Sequence, residues 1–304
     1  MLNFKPITIQ DKEAITAYTR SGKYLNCDFA FSNMCSWRFL YHSEFAVDED
    51  FLFIRFYIKH YRVYMCPIGN GDAKQAFNKI EEDAASNDYQ LRIFGVTPSG
   101  KEMLETLFPG KFTFTANRNF FDYIYLREEL SALKGKKFQP KRNHINKFKK
   151  NYAYTYQTIT PDMIPACLQL EQQWIKANQT GKDADSLNYE NRSMVFALNH
   201  FDALDLTGGA IFVENEMVAF TYGSPINHYT FGTHVEKADI LFEGIFSVIN
   251  QEFASHLPEQ YRYINREEDL GQPGLRQSKL SWQPAILLEK NMAVETRRAA
   301  SQNS

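Results

Sequence analysis

The sequence predicts an α/β fold with mixed sheets, made of two halves that repeat one order of elements. Three observations predict it. Runs with apolar residues at alternate positions, the strand period, alternate with runs at i, i+3, i+4 and i+7, the helix period. The order strand, strand, helix, strand, helix, strand occurs twice, at nearly the same offset, without visible identity between the copies. The 304 residues also suit two units of about 150. The expected division is a first unit at 1–133, a basic linker helix at 134–155, a second unit at 156–292 and a polar tail at 293–304.

The chain opens with a helix that Thr8 or Asp11 would cap, with Ile15 and Tyr18 on one face. The aromatic-rich stretch from Phe29 to Tyr41 reads as core packing around a short helix, not as a platform for stacked bases. Residues 51–56 and 61–66 read as paired strands. Ala73, Phe77, Ile80 and Ala84 then mark an amphipathic helix. A strand at 90–96, a helix at 97–108 with Pro98 at its first position, and further strands over 111–126 complete the first half.

In the second half, 209–213 and 217–222 form a hairpin around Glu214, Asn215 and Glu216, and 228–234 is a third strand. Leu241, Ile245, Val248, Ile249 and Phe253 mark a helix. A strand at 261–265, a short helix at 270–280 and a strand at 285–288 follow.

Composition excludes several classes. Hydrophobic residues make up 44% and aromatics 15% of the chain, enough for sizeable cores, which excludes global disorder. A net charge of -2 predicts no bulk attraction to nucleic acid or anionic lipid, so any basic patch must be local. Cys27, Cys35, Cys66 and Cys167 show neither a CxxC pair nor metal-like spacing with His, which fits reduced thiols in a cytoplasmic protein and no metal site. No partner base is identifiable for Cys35 as a nucleophile. The start does not read as a signal peptide, and no segment reaches the ~18 apolar residues of a membrane span.

Two segments carry the chemistry. Residues 134–150 hold eight Lys and Arg and no acidic residue, and after Pro140 they read as a helix with Ile145, Phe148 and Tyr152 inward. Its basic faces suit phosphate, an RNA backbone or an anionic head group, against a plain solvated helix; Lys141, Arg142, Asn143, Asn146 and Lys147 are the candidate contacts. Residues 265–279 place six charges in fifteen residues at the end of a strand, where open α/β sheets put ligands. The equivalent stretch of the first half, around 95–103, holds only two charges, so the second half is the better place for a cleft.

The block K-R-N-H-I-N-K-F (141–148), together with Y-I-N-R-E-E-D-L-G-Q-P-G-L-R-Q-S-K-L-S-W (263–282), resembles an uncharacterised bacterial family grouped with the C-terminal catalytic domain of phosphatidylglycerol lysyltransferases. The resemblance runs from about residue 20 to 290. It implies a tandem duplication of two GNAT-like acyltransferase domains, as in the Fem peptidyltransferases. It also implies transfer of an aminoacyl group from a charged tRNA to an amine or hydroxyl acceptor. The sequence departs from the lysyltransferases in having no membrane-embedded N-terminal region and no Gly-Met-Ala-Pro-like motif at 265–274. It also lacks the Gly-rich acetyl-CoA loop at 235–244. The turn at Cys66 to Gly71 offers backbone N–H groups to a phosphate, although Asp72 reads as an ordinary N-cap there.

Acyl transfer needs a base, a stabilised oxyanion and a positioned donor. Glu267, Glu268 or Asp269 would supply the base, with His234 a further acid/base candidate. Asn265, Arg266, Arg276 and Lys279 would hold a phosphate or oxyanion. The expected donor is aminoacyl-tRNA or acyl-CoA, with tRNA meeting the helix at 140–150, and the acceptor a small molecule or a lipid. The alternative is a non-catalytic protein of the same fold that senses a nucleotide, an amino acid or an anionic lipid.

Overall fold

The final strand of each half leaves its own sheet and completes the other one. In the computed structural model, which describes residues 2–178 and 184–296, the strands in chain order are β1 (Lys5–Pro6), β2 (Glu44–Asp48), β3 (Phe51–Ile58), β4 (Tyr61–Met65), β5 (Ile68–Gly69), β6 (Arg92–Val96), β7 (Phe112–Ala116) and β8 (Asp122–Leu126). Then come β9 (Tyr154–Thr158), β10 (Thr207–Val213), β11 (Glu216–Asn227), β12 (Thr230–Ala238), β13 (Tyr263–Asn265), β14 (Ile286–Leu288) and β15 (Asn291–Glu295). The helices are α1 (Lys12–Thr19), α2 (Phe31–Ser36), α3 (Arg38–Tyr41), α4 (Ala73–Ser86), α5 (Pro98–Leu107), α6 (Arg127–Ala132), α7 (Gln139–Asn151), α8 (Ile164–Asn178), α9 (Ala184–Asn199), α10 (Ile245–His256) and α11 (Pro273–Ser281).

The first sheet runs β1-β2-β3-β4-β6-β15-β7, with β5 on β3, and the second runs β14-β8-β13-β12-β11-β10-β9. Each is mixed: β4–β6 and β12–β13 are parallel, and the other pairs are antiparallel. The expected duplication is visible as β3-β4-α4-β6-α5-β7 against β11-β12-α10-β13-α11-β14. In each copy a foreign strand fills the same slot: β15 lies between β6 and β7, and β8 lies between β13 and β14. So 122–126, expected with the first unit, pairs in the second sheet, and 291–295, which includes the start of the expected tail, pairs in the first. The rest of that tail, 297–304, lies outside the described residues.

Local chemistry explains most boundaries. Asp72 caps α4 by accepting from the N–H groups of Lys74 and Gln75 at 2.8 and 3.2 Å, and Phe77, Ile80 and Ala84 are buried beneath it. This is the ordinary N-cap reading of that turn. Thr8 and Asp11 form a capping box at the start of the chain's first helical segment. Glu214 and Asn215 both take positive φ, the signature of a tight turn that matches strand twist. The helix expected from residue 241 begins at Ile245, because Gly244 stands in the left-handed region at φ 92°. The helix expected from residue 270 begins at Pro273, because Leu270 and Gly271 are also left-handed. In the aromatic-rich stretch, Phe29 and Phe31 are core, as expected, whereas Trp37 and Phe39 are half-buried and Tyr41 is 37% exposed.

One apolar core lies under α1, α2, α8 and α9, and a second lies between the other face of the second sheet and α6, α7 and α10. A third packs α4 and α5 on the first sheet. All four cysteines are free and buried. Burial pushes the Cys35 thiol up to about 11, which removes it as a nucleophile at neutral pH. Among the described residues, no helix is long and apolar enough to cross a membrane.

Candidate functional site

The site begins where β12 and β13 part. Their parallel pairing covers Thr230↔Tyr263, Phe231↔Ile264 and Gly232↔Asn265, after which β12 continues to Ala238 while the other chain turns away. Parallel strands diverging at their carboxyl ends leave a gap, and the charged loop from Arg266 to Gly271 borders it.

His234 reaches this gap through a bulge. The register passes from Tyr222↔Val235 to Gly223↔Thr233, leaving His234 as the extra residue of β12. Only glycine fits at 223, since a Cβ there would collide with the Gly232 carbonyl. His234 Nδ1 lies 2.8 Å from Glu267 Oε1, which also accepts from Asn33 Nδ2 at 2.7 Å. On the far side of the ring, Nε2 lies 2.9 Å from Ser32 Oγ and 2.8 Å from Ser224 Oγ. Carboxylate, imidazole and hydroxyls therefore form one line of hydrogen bonds, with Ser32 and Asn33 from α2, Ser224 and His234 from the second sheet and Glu267 from the loop after β13. Among the described residues, no protein donor is bonded to Glu267 Oε2, and the side chain is 23% exposed while His234 is 6% exposed. Glu267 stands at φ 57°, a conformation that costs a non-glycine residue about 1–3 kcal/mol and that persists where surrounding bonds enforce it. Asn265 enforces it here: its Oδ1 accepts from Glu267 N at 2.7 Å, and its Nδ2 donates to Leu25 O and Asp122 Oδ2.

Next to this line lies a buried acidic group. Lys290 Nζ is 2.5 Å from Glu268 Oε1, 2.8 Å from Asp122 Oδ1 and 2.9 Å from Asp28 Oδ2. Burial alone would lower the lysine pKa, but the three carboxylates hold it well above its usual value. One cation among three carboxylates leaves negative charge in excess. Burial, and then Glu268 and Asp122, push Asp28 up to about 7 against the opposing pull of Lys290. Tyr41 stands at the rim, its phenol raised to about 12 by burial and by the nearby Glu268 and Asp28. Ligand atoms of Cys27, Asp122 and Glu268 lie within 4.8 Å of one another, a donor set of metal-like composition. The Lys290 ammonium already holds two of the three, and burial pushes the Cys27 thiol well up, so this set does not fit a metal ion.

Asp269, Arg276 and Lys279 hold the loop itself. Asp269 is fully buried and accepts from Arg276 Nε and Nη2, Tyr123 Oη, Arg118 Nη1 and Gly271 N, at 2.6 to 3.1 Å. The Arg276 bonds hold its carboxyl well below the ordinary range. Both its oxygens are committed, which leaves none for a substrate proton. Arg276 also donates to Asn119 Oδ1 at 2.8 Å. Lys279 donates to the carbonyls of Arg266 and Glu268 at 2.5 Å, and burial lowers its pKa.

On the face toward α7 and α10, Arg266 pairs with Glu236 at 2.9 Å, and Asn250 donates weakly to the same carboxylate at 3.4 Å. Arg266 Nη1 and Asn250 Oδ1 are buried without a partner among the described residues. Lys141 reaches this group from α7. Its Nζ lies 2.6 Å from Ser281 Oγ and 4.4 Å from the centre of the Trp282 ring, and burial, then Arg266, lower its pKa to about 8. The other basic-helix candidates do not converge on the loop. Arg142 donates to the carbonyls of Leu133 and Gly135 and to Gln139 Oε1. Asn143 accepts from Gln139, Lys147 pairs with Glu243, and Asn146 is exposed.

The structure thus brings His234, Asn265, Glu267 and Glu268 to one side of the loop and Arg266 with Lys141 to the other. It adds Asp28, Ser32, Asn33, Asp122, Ser224 and Lys290. The sequence signals for these are faint: an acid that opens the apolar strand β8, and a lysine between the apolar strands β14 and β15.

Against this geometry, residues 20–294 match the family model for the C-terminal part of phosphatidylglycerol lysyltransferase. The chain belongs to that family. A conserved protein of unknown function from Bacteroides thetaiotaomicron shares 50% identity over 97% of this chain and 100% of its own, with a TM-score of 0.94. L-PGS from Bacillus licheniformis shares 14% identity over 96% of this chain and 93% of its own, with a TM-score of 0.65. FemX shares 10% identity over 95% of this chain and 97% of its own, with a TM-score of 0.59. These last two likenesses speak to fold, and the fold is the tandem pair of GNAT-like units with mixed sheets. A comparison with curated proteins gives no match.

Proposed function

We propose that this family member is an acyltransferase that moves an aminoacyl or acyl group from an ester or thioester donor to an amine or hydroxyl acceptor. One observation carries the reading: Glu267 is held in a left-handed conformation with one oxygen fixed by His234 and Asn33 and the other without a protein donor among the described residues, at the open end of two parallel strands.

In this reading Glu267 Oε2 takes the proton from the acceptor as its nitrogen or oxygen attacks the donor carbonyl. The new C–N or C–O bond forms, the donor's C–O or C–S bond breaks, and the proton passes to the departing oxygen or sulfur. His234 keeps the carboxylate oriented and shares the charge through Ser32 and Ser224. Asp269, Arg276, Asn265 and Lys279 hold the loop and touch no substrate. The donor is aminoacyl-tRNA or acyl-CoA, whose phosphates meet Lys141 and the exposed basic face of α7. Lys147, Asn143 and Asn146 line that face, and Arg142 supports the helix start.

The purified chain, mixed with charged tRNAs or labelled acyl-CoAs and an acceptor panel, is expected to turn over at least one donor. Turnover of neither class, with a ligand that raises the melting temperature and is not consumed, would identify a non-catalytic binding protein instead.

A further inference from the structure

A row of aromatic rings beside the acidic group says what kind of acceptor the site takes. Tyr41, Phe56, Phe94 and Phe120 form a chain of edge-to-face rings, with centroid separations of 6.1, 5.9 and 6.3 Å and interplanar angles of 74°, 88° and 78°. The two end rings, Tyr41 and Phe120, are 37% and 38% exposed, so the chain opens to solvent at both ends. Lys290 Nζ lies 5.8 Å from the Phe94 ring, which places the acidic group beside this wall.

A second feature points the same way. Asn26 is fully buried and spends Nδ2 on the Gly95 carbonyl at 2.9 Å, while its Oδ1 accepts from nothing among the described residues. A Cβ on Gly95 would lie 3.3 Å from Asn26 Nδ2 and 3.6 Å from Asp28 Oδ2, so the amide and the carboxylate border the same small space. Gly95 stands at φ 70°, which discourages any side chain from filling it. Glu268, Asp122 and Asp28 outnumber the one lysine they share, and carboxylates in excess ask for a partner that carries positive charge.

We infer that the acceptor is an amine with an apolar body that binds as its ammonium: the ammonium meets Glu267, Glu268 and Asp28, the carbon portion lies along the ring chain, and one proton passes to solvent before the neutral nitrogen attacks and gives its second proton to Glu267. An ammonium offers three donors and no acceptor, which suits a floor made of acceptors, and aromatic faces attract cations. A phosphate or carboxylate head group would meet like charge here. The inference rests on the acyl-transfer reading for the word acceptor, but the binding it predicts does not need a donor.

Calorimetric titration of the full chain with a straight-chain alkylamine, the alcohol of equal length and the corresponding alkyl phosphate tests it. The amine is expected to bind about tenfold or more tightly than the alcohol, with no heat from the phosphate. Glu268→Gln and the surface change Tyr41→Leu are each expected to weaken the amine about fivefold, the latter with an unchanged melting temperature. Equal binding of amine and alcohol, preference for the phosphate, or no binding of any of the three would overturn the inference. Amine binding without transfer from any donor would leave it standing and remove the acyltransferase reading; transfer onto a hydroxyl with no amine binding would do the reverse.

Discussion

Five carboxylates gathered around the charged loop do different work, and their surroundings decide which. Asp269 has every lone pair committed and a depressed pKa, so it anchors. Glu268 and Asp28 share a lysine with Asp122, and Glu267 keeps one oxygen without a protein donor among the described residues, at the end of the parallel pair β12–β13. Truncating Asp269 to Ala strands Arg276 and Arg118 beside a buried void, and chemical denaturation is expected to show a loss of about 3–5 kcal/mol. Asp28 makes a prediction in pH. Its folded pKa of about 7 lies above the ordinary value of 3.8, so the native state binds the extra proton between these values. Stability from this group is complete below pH ~4 and is lost as pH rises through ~7. Asp28→Asn is expected to flatten that fall in a pH series of melts. An unchanged slope would mean that the proton sits elsewhere in the cluster.

At the scale of elements, periodicity and caps made most of the chain legible. The amphipathic pattern over 73–84, the Asp72 cap and the turn at 214–216 are local, and local signals read directly from sequence. The charged loop was legible for a similar reason: six charges after an apolar strand have few places to go. Its division of labour was not, because Asp269, Arg276 and Lys279 carry the same charges as Glu268 and Arg266 and differ only in what packs around them. The basic helix shows the same limit. Its charge was plain, but that Lys141 turns inward to Trp282 while Arg142 folds back on the α6 end depends on how α7 sits against α10. That seating is close: a Cβ on Gly244 would lie 2.5 Å from the His144 carbonyl oxygen, at a φ of 92°. Gly244→Ala is therefore expected to destabilise the protein by about 1–3 kcal/mol and to raise the Lys141 pKa by loosening its burial, measurable by denaturation and by the pH dependence of amine labelling.

At the scale of the molecule, the reciprocal exchange of β8 and β15 explains what sequence order concealed. Asp122 enters the site on β8, which belongs by position to the first half and by pairing to the second sheet, and Lys290 enters it from the segment by which the chain crosses from β14 to β15 in the first sheet. No reading that keeps the halves apart brings them together. The exchange also predicts one cooperative unfolding transition, with calorimetric and van't Hoff enthalpies in agreement, and failure of either half to fold when expressed alone. Two separated transitions would show that the exchanged strands contribute little. The central claim is that this joined structure holds a working base at Glu267. Its most direct measurement is the rate of acyl transfer by wild type and Glu267→Gln side by side, with a melt of each. Glu267→Gln is expected to lower the rate about 10²–10⁴-fold with the melting temperature kept within a few degrees. An unchanged rate, or a fall in rate matched by loss of the fold, would contradict it.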